Sequence, residues 1–289
     1  MTEAAVQRAG PGVWLMAARP RTLSAAVSPV LVGTAVAFRA GAGRPLAAAL
    51  ALFASLFIQV GTNFANDYSD FKRGADANRV GPRRVTQSGL VAPRTVKLAA
   101  WVAFAISGLF GIALAGIAGW PILAIGAASV TAGWLYTGGP WPLGYHGLGD
   151  LFVFLFFGLV ATCGTAFAQA LYVPREAWLA GAAVGSLATA ILAVNNLRDR
   201  ETDAKVGKNT LAVKIGARAT RVQYTLLVLA PFALAALLGT IWPLLALPAA
   251  IPALRTVLTR SGAELNRGLG QTARLQILYS ILLAVGLWP

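Results

Sequence analysis

Ten acidic residues are spread over 289 positions, and most of them fall into two short windows. One holds Asp67, Asp70 and Asp76; the other holds Asp199, Glu201 and Asp203. Each window is introduced by asparagine, Asn63 and Asn66 in the first and Asn195 in the second. Asn63, Asp67 and Asp70 recur at i, i+4 and i+7, and Asn195, Asp199 and Asp203 at i, i+4 and i+8, the spacing of one helix face. Carboxylates held this close repel one another unless a cation sits between them. Mg²⁺, a hard ion, prefers oxygen ligands and shares them between carboxylates and substrate phosphates. Basic residues follow both windows: Lys72, Arg73, Arg79, Arg83 and Arg84 after the first, Arg198, Arg200, Lys205 and Lys208 around the second. Arginine grips phosphate oxygens in pairs and lysine offers a compact charge. Of these, Lys72, Arg79, Arg83 and Lys208 stand beside glycine-bearing turns that could close on a ligand. The chemistry predicted is metal-assisted binding of a diphosphate and stabilisation of its charge as it leaves. Simple pairing of these acids with neighbouring Lys and Arg at a surface would explain one isolated Asp better than two matched clusters.

The elements that must hold these groups are set by a chain that is 57% hydrophobic and only 12% charged, with a mean hydropathy of +0.67. A soluble domain carries about a quarter charged residues, so lipid is the expected solvent. The apolar runs match the length of a membrane-crossing helix, and stretches such as 151–160 lack the alternation of a membrane β-strand. Nine spans are predicted, at 22–39, 45–65, 96–118, 120–137, 150–171, 177–197, 220–239, 241–258 and 273–288. The expectation is therefore an all-α polytopic membrane protein, one transmembrane domain over residues 1–289. The stretch before Trp14 lacks the layout of a cleavable signal.

All but three of the 24 Lys and Arg (Arg39, Arg44 and Arg175) fall on one side of the predicted bundle. The positive-inside rule makes that side cytoplasmic, with the N-terminus and both acidic windows on it. The formal charge of +14 thus belongs to one face and to its contact with anionic membrane lipid; it calls for no nucleic acid. The two windows each end an even-numbered span, four helices apart, which suggests an internal pseudo-repeat with the site at its interface. Cys163 is the only cysteine, which excludes an intramolecular disulfide, and His146, the only histidine, lies in a Gly/Pro-rich loop and reads as structural.

Several blocks resemble the UbiA-type intramembrane aromatic prenyltransferases. The first is Asn66-Asp67-Tyr68-Ser69-Asp70, with the third Asp of the usual spacing displaced to Asp76. That displacement is similar to the branch that prenylates 1,4-dihydroxy-2-naphthoate in menaquinone synthesis. Further blocks are Ala18-Arg19-Pro20-Arg21-Thr22-Leu23, the run from Gly81 to Leu90, Tyr136-Thr137-Gly138-Gly139-Pro140 with its continuation to Asp150, and Asn195 through Asp203 to Leu211. They lie in order between about residues 18 and 216.

The resemblance implies a nine-helix bundle with a central cavity open to lipid and cytoplasmic cap loops. It implies Mg²⁺ on Asp67, Asp70, Asp199 and Asp203, with Asp76 at a shifted position, and a polyprenyl diphosphate as donor. Asn63, Asn66, Lys72, Arg79, Arg83, Asn195 and Lys208 are then candidates for the diphosphate. Tyr68, Tyr136 and Tyr145 could face an allylic cation, and Gln59 could orient the acceptor. The expected reaction is prenylation of the naphthoate with loss of CO₂. Its rivals are the same chemistry on 4-hydroxybenzoate, a CDP-alcohol phosphotransferase, whose Asp-Gly-x-x-Ala-Arg block is absent, and a transporter, which would carry charges deep within its spans.

Overall fold

The computed structural model describes residues 10–76 and 80–289; Arg79 lies outside them. Of the described residues 81% are helical, and no strand occurs among them. A short helix α1 (Pro11–Ala18) and a 3₁₀ turn (Pro20–Thr22) lead into α2 (Ser24–Arg39). Then come α3 (Pro45–Lys72), α4 (Pro93–Ala118), α5 (Pro121–Leu135), α6 (Gly149–Phe154), a π turn (Leu155–Val160), α7 (Ala161–Ala170) and α8 (Arg175–Lys205). The chain closes with α9 (Leu211–Leu237), α10 (Leu247–Thr259) behind a 3₁₀ turn (Trp242–Ala246), and α11 (Leu265–Leu287).

Local sequence sets the starts and stops. Proline occupies the first turn of α1, α3, α4 and α5, where its missing N–H costs nothing and its fixed φ suits a helix. The two helices that carry the acidic windows end alike: Gly74 and Gly207 both take φ 71°, the left-handed geometry that a glycine supplies without strain.

Six helical segments are long and apolar enough to cross a membrane, and a seventh if the bent pair Pro11–Thr22 and Ser24–Arg39 counts as one span. Helices occupy all nine predicted segments, but α5 is a shorter apolar helix and α11 does not meet the same length-and-hydropathy standard. In α11, Asn266, Arg267, Gln271, Arg274 and Gln276 dilute the apolar character. Helix α3 runs past the predicted span end at 65 to Lys72, and α8 past 197 to Lys205. Those extra turns keep Asp67, Asp70, Asp199, Glu201 and Asp203 helical, while Asp76 falls in the turn after α3.

Helix α8 is the axis of the bundle: 78% of its apolar window is buried inside the protein, far more than any other candidate span. Its inner turns are small (Ala180, Gly181, Ala183, Gly185, Ser186, Ala188), and small residues let backbones approach where no hydrophobic drive exists between helices. The closest approach is to the π turn. A Cβ on Gly158 would stand 2.5 Å from the Gly185 Cα and 2.7 Å from the Gly181 carbonyl oxygen. A large apolar core joins α8 to α2, α9, α10 and α11, and a second joins α1, α3 and α4 around Phe64, Val85 and Phe104. A cavity lies between these two halves. Gly158→Val should overpack the α8 crossing and lower the unfolding midpoint in detergent, by about 1–3 kcal/mol of stability. Gly116→Ala, with nothing within 4 Å of the added carbon, should leave the midpoint unchanged or slightly raised.

Candidate active site

The cavity has a volume of about 690 Å³ and walls that are mostly apolar, contributed by α2 to α8 and by Leu269 of α11. One end is polar. There the ends of α3 and α8 converge with the loops 80–92, 136–148 and 206–210. Asp70, Arg84, Asn195 and Lys208 all reach the cavity surface at this end.

Asp70 is the hub. It is buried, and its Oδ1 accepts a 2.9 Å hydrogen bond from the Tyr145 hydroxyl. Its Oδ2 faces Arg84 Nη2 at 3.4 Å and Lys208 Nζ at 3.8 Å. Arg84 in turn approaches Asp76 Oδ1 at 3.5 Å through Nε, and Lys208 lies 3.8 Å from Asp203 Oδ1. One ammonium therefore bridges the two acidic windows, and one guanidinium bridges two of the three acids of the first. At roughly 4 Å and an effective dielectric near 20, each such pair gains about 4 kcal/mol, which offsets a desolvation cost of several kcal/mol per ion. Arg73 and Lys208 each lie 5.3 Å from the centre of the Tyr145 ring. Burial, and the negative charge and hydrogen bond of Asp70, push the Tyr145 hydroxyl well above its ordinary pKa, so it stays a donor through the neutral range.

The other predicted residues divide clearly. Asn63 and Asn66 line the cavity; the Asn63 amide donates to Ala18 O (2.8 Å) and Thr22 Oγ1 (3.1 Å), and Asn66 Oδ1 accepts from Thr137 (2.8 Å). Gln59, also on the wall, donates to Thr22 Oγ1 (3.2 Å), and its buried Oε1 has no hydrogen-bond partner. Tyr136 is on the wall as well. Asp199 is clasped by its neighbour, with Arg198 Nε 2.8 Å from Oδ1 and Nη2 2.6 Å from Oδ2. The same guanidinium reaches Asn195 Oδ1 (2.8 Å) and Asn266 Oδ1 (2.9 Å). Asp67 lies to one side, where its two oxygens accept the Val85 and Thr86 amides at 3.2 Å each.

Asp67, Asp76, Asp199, Asp203 and Tyr145 belong to this polar cluster without lining the cavity, and three further candidates stand away from both. Arg83 is exposed. Lys72 is exposed too and sits 5.8 Å over the ring of Tyr68, which Lys97 approaches at 5.6 Å; Tyr68 packs against the α1–α3–α4 core. Sequence spacing could not decide between Arg83 and Arg84, because neighbours in a loop point to opposite sides and only the fold says which side is inside. Arg19 is the other residue not singled out. It lines the cavity in a left-handed conformation (φ 53°) and donates to Asn63 O at 3.1 Å. A positive φ on a bulky residue would have been invisible without the backbone.

A magnesium ion fits this donor set. Among the described residues no three acid, His or Cys side chains form a ready-made cage, yet Mg²⁺ ordinarily takes one or two carboxylates and completes its shell with water and phosphate. The Lys208 ammonium between Asp70 and Asp203 marks a place where a cation is already favoured. Five buried acids (Asp67, Asp70, Asp76, Asp199, Asp203) gather at this end, an oxygen-rich donor set of the kind Mg²⁺ prefers.

A family model described as the UbiA prenyltransferase family matches residues 26–285. The chain belongs to that family. Among its curated relatives is the 1,4-dihydroxy-2-naphthoate octaprenyltransferase of Mycobacterium tuberculosis, 41% identical over 94% of this chain and 95% of the relative. The Escherichia coli protein of the same name is 39% identical over 75% of this chain and 72% of its own length. A UbiA homolog from Archaeoglobus fulgidus, solved bound to GPP and Mg²⁺, has the same fold, with a TM-score of 0.64 over 94% of this chain and 99% of that one at 17% identity. UbiA-family membership agrees with a cavity whose polar end is built from two acid-bearing helix ends.

Arg84→Gln should remove the guanidinium that Asp70 and Asp76 share and destabilise the protein by about 1–3 kcal/mol, the scale of a lost partner to a buried charged group. Arg83→Gln should change stability by less than about 0.5 kcal/mol, and the two are compared by thermal unfolding in detergent.

Proposed function

We propose that the protein transfers a polyprenyl group from an allylic diphosphate to 1,4-dihydroxy-2-naphthoate with loss of CO₂, the prenylation step of menaquinone synthesis. The observation that carries this reading is one cavity with two characters: about 690 Å³ of mostly apolar wall, closed at one end by Asp70, Arg84 and Lys208. An isoprenoid tail matches the first and a diphosphate the second. The relatives at 35–41% identity that carry the naphthoate octaprenyltransferase name support this acceptor over 4-hydroxybenzoate. The charged side chains gather at the helix ends and leave the apolar wall bare, which does not favour a transporter.

Asp70, Asp76, Asp199 and Asp203 are the proposed holders of Mg²⁺, which would screen the diphosphate and help it leave. Arg84 and Lys208 are proposed to turn from their carboxylates to the phosphate oxygens. Arg84 meets Asp70 and Asp76 at 3.4–3.5 Å, longer than the 2.6–2.8 Å grip of Arg198 on Asp199. The allylic C–O bond breaks with its electron pair going to diphosphate. The ring carbon that bears the carboxylate then forms the new C–C bond, and loss of CO₂ returns electrons to the ring. No oxidant is needed to reach the prenylated quinol, the reduced form of demethylmenaquinone. Asn66, Asn195 and Tyr145 position the site through Thr137, Arg198 and Asp70, and Gln59 Oε1 offers a buried acceptor for a naphthol hydroxyl.

In the same reading all nine helical segments cross the inner membrane of the cell, α5 and α11 included. The N-terminus and the polar end of the cavity face the cytoplasm, following the basic residues. The chain is a single domain in which the four spans of α2–α5 and the four of α6–α10 form a pseudo-repeat, each half contributing one helix that ends in acids, a lysine and a left-handed glycine (Gly74, Gly207). Purified protein given an allylic diphosphate, Mg²⁺ and either acceptor should prenylate the naphthoate, release CO₂ and stop on addition of EDTA. Product from 4-hydroxybenzoate alone would refute the acceptor, and no product from folded protein would refute the reaction.

A further inference from the structure

The first acidic window contains two kinds of carboxylate. Asp70 and Asp76 face cations, whereas both oxygens of Asp67 accept backbone amides, Val85 N to Oδ2 and Thr86 N to Oδ1, each at 3.2 Å. Those amides open a single turn. The Arg84 carbonyl accepts from the Ser88 amide (3.0 Å) and the Ser88 hydroxyl (2.6 Å), and the Val85 carbonyl accepts from the Leu90 amide (3.0 Å). Gly89 closes the turn at φ 69°. The first amides of such a turn have no partner within it; here a carboxylate from another helix supplies one, as an N-cap residue does within its own chain. The Val85 side chain is fully buried against the core of α1, α3 and α4, so the turn is pinned from both sides. Arg84, the residue that starts it, reaches Asp70 and Asp76.

We propose that Asp67 is a positioning residue, and not a metal ligand: it caps the Val85–Thr86 turn from α3 and thereby fixes Arg84 over the diphosphate end of the cavity. At about 100° per residue, Asp67 and Asn66 point a quarter-turn apart on α3. Asn66 and Asp70 reach the cavity and Asp67 faces the loop. The part played by Arg84 toward diphosphate rests on the function proposed above; the cap does not.

The test compares the full-length protein with Asp67→Asn and Asp67→Ala in detergent, by amide hydrogen exchange and by kinetics. In the unaltered protein the Val85 and Thr86 amides should exchange more slowly than those of Val80, Gly81 and Arg83. In both variants the 84–90 segment should exchange faster, while α3 before Asn63 is unchanged. In the transfer assay Asp67→Asn should raise KM for the allylic diphosphate about tenfold, the scale of a lost cap, and leave the Mg²⁺ concentration for half-maximal rate where it was. Asp70→Asn serves as the comparator that moves it. Unprotected Val85 and Thr86 amides in the unaltered protein would overturn the proposal even if neither variant folds. So would unchanged exchange in folded variants, or an Mg²⁺ requirement shifted by Asp67→Asn as far as by Asp70→Asn. Cap-dependent exchange in a protein that transfers no prenyl group would retire the assigned reaction and leave the role of Asp67 standing.

Discussion

Keeping several carboxylates charged in a mostly apolar bundle is the constraint on which the rest of the structure depends. An isolated buried carboxylate costs far more than a folded chain can spare, so each acid here needs a compensating group. Asp199 has the neighbouring Arg198 as a two-pronged partner. Asp67 has two amides. Asp70, Asp76 and Asp203 have Arg84 and Lys208 at longer range. The loops at this end of the bundle are ordered by meeting those needs: 80–92 brings Arg84, 136–148 brings Tyr145, and 206–210 brings Lys208. The Asn209 amide ties the last two loops together through the Tyr145 carbonyl at 3.0 Å.

The helices serve this end by being long or by being small. Had α3 and α8 stopped at the membrane surface, the acids would have fallen on flexible connections. Their continuation by two turns holds Asn66 and Asp70, and Asn195 and Asp199, in helical register. The small residues of α8 let the π turn pack backbone to backbone at Gly158 and Gly185. That contact closes one side of the bundle and leaves the space elsewhere, where Phe156, Phe157 and Val160 line the cavity. A π turn supplies the change in register this requires, and such turns often mark functional positions.

The all-helical class and the meeting of the two acidic windows at one polar end were legible in the sequence because both rest on coarse signals. Apolar runs give helices, and scarce acids clustered beside asparagines give one polar end. The orientation of individual side chains was less legible. The spacing of Asn63, Asp67 and Asp70 reads as one face, but a helix face is broad, and the 80–92 loop divides it so that Asp67 and Asp70 serve different partners. Arg83 and Arg84 are indistinguishable as a basic pair until the turn capped by Asp67 sends one out and one in. Lys72 and Tyr68 belong to the same helix as Asp70 and point to the outer side, where the lysine lies over the ring. Tyr145 could not be assigned at all from spacing, since its partner Asp70 is 75 residues away.

The compensation at Asp70 differs in kind from that at Asp199, and the difference has a functional consequence. Arg198 is held at 2.6–2.9 Å by Asp199, Asn195 and Asn266, so moving it would break four short hydrogen bonds at once. Arg84 holds Asp70 and Asp76 at 3.4–3.5 Å, and its Nε and Nη1 have no hydrogen-bond partner. A fixed cation preserves a shape; a loosely held one can be transferred to an arriving anion if another cation takes over its carboxylates. A divalent ion arriving with the diphosphate offsets most of its negative charge within the buried site, and neither alone achieves that. Diphosphate alone would add anions to a site already rich in acids, and a divalent ion alone would crowd Lys208 between Asp70 and Asp203. Joint arrival of metal and diphosphate is therefore what the electrostatics of this end favour.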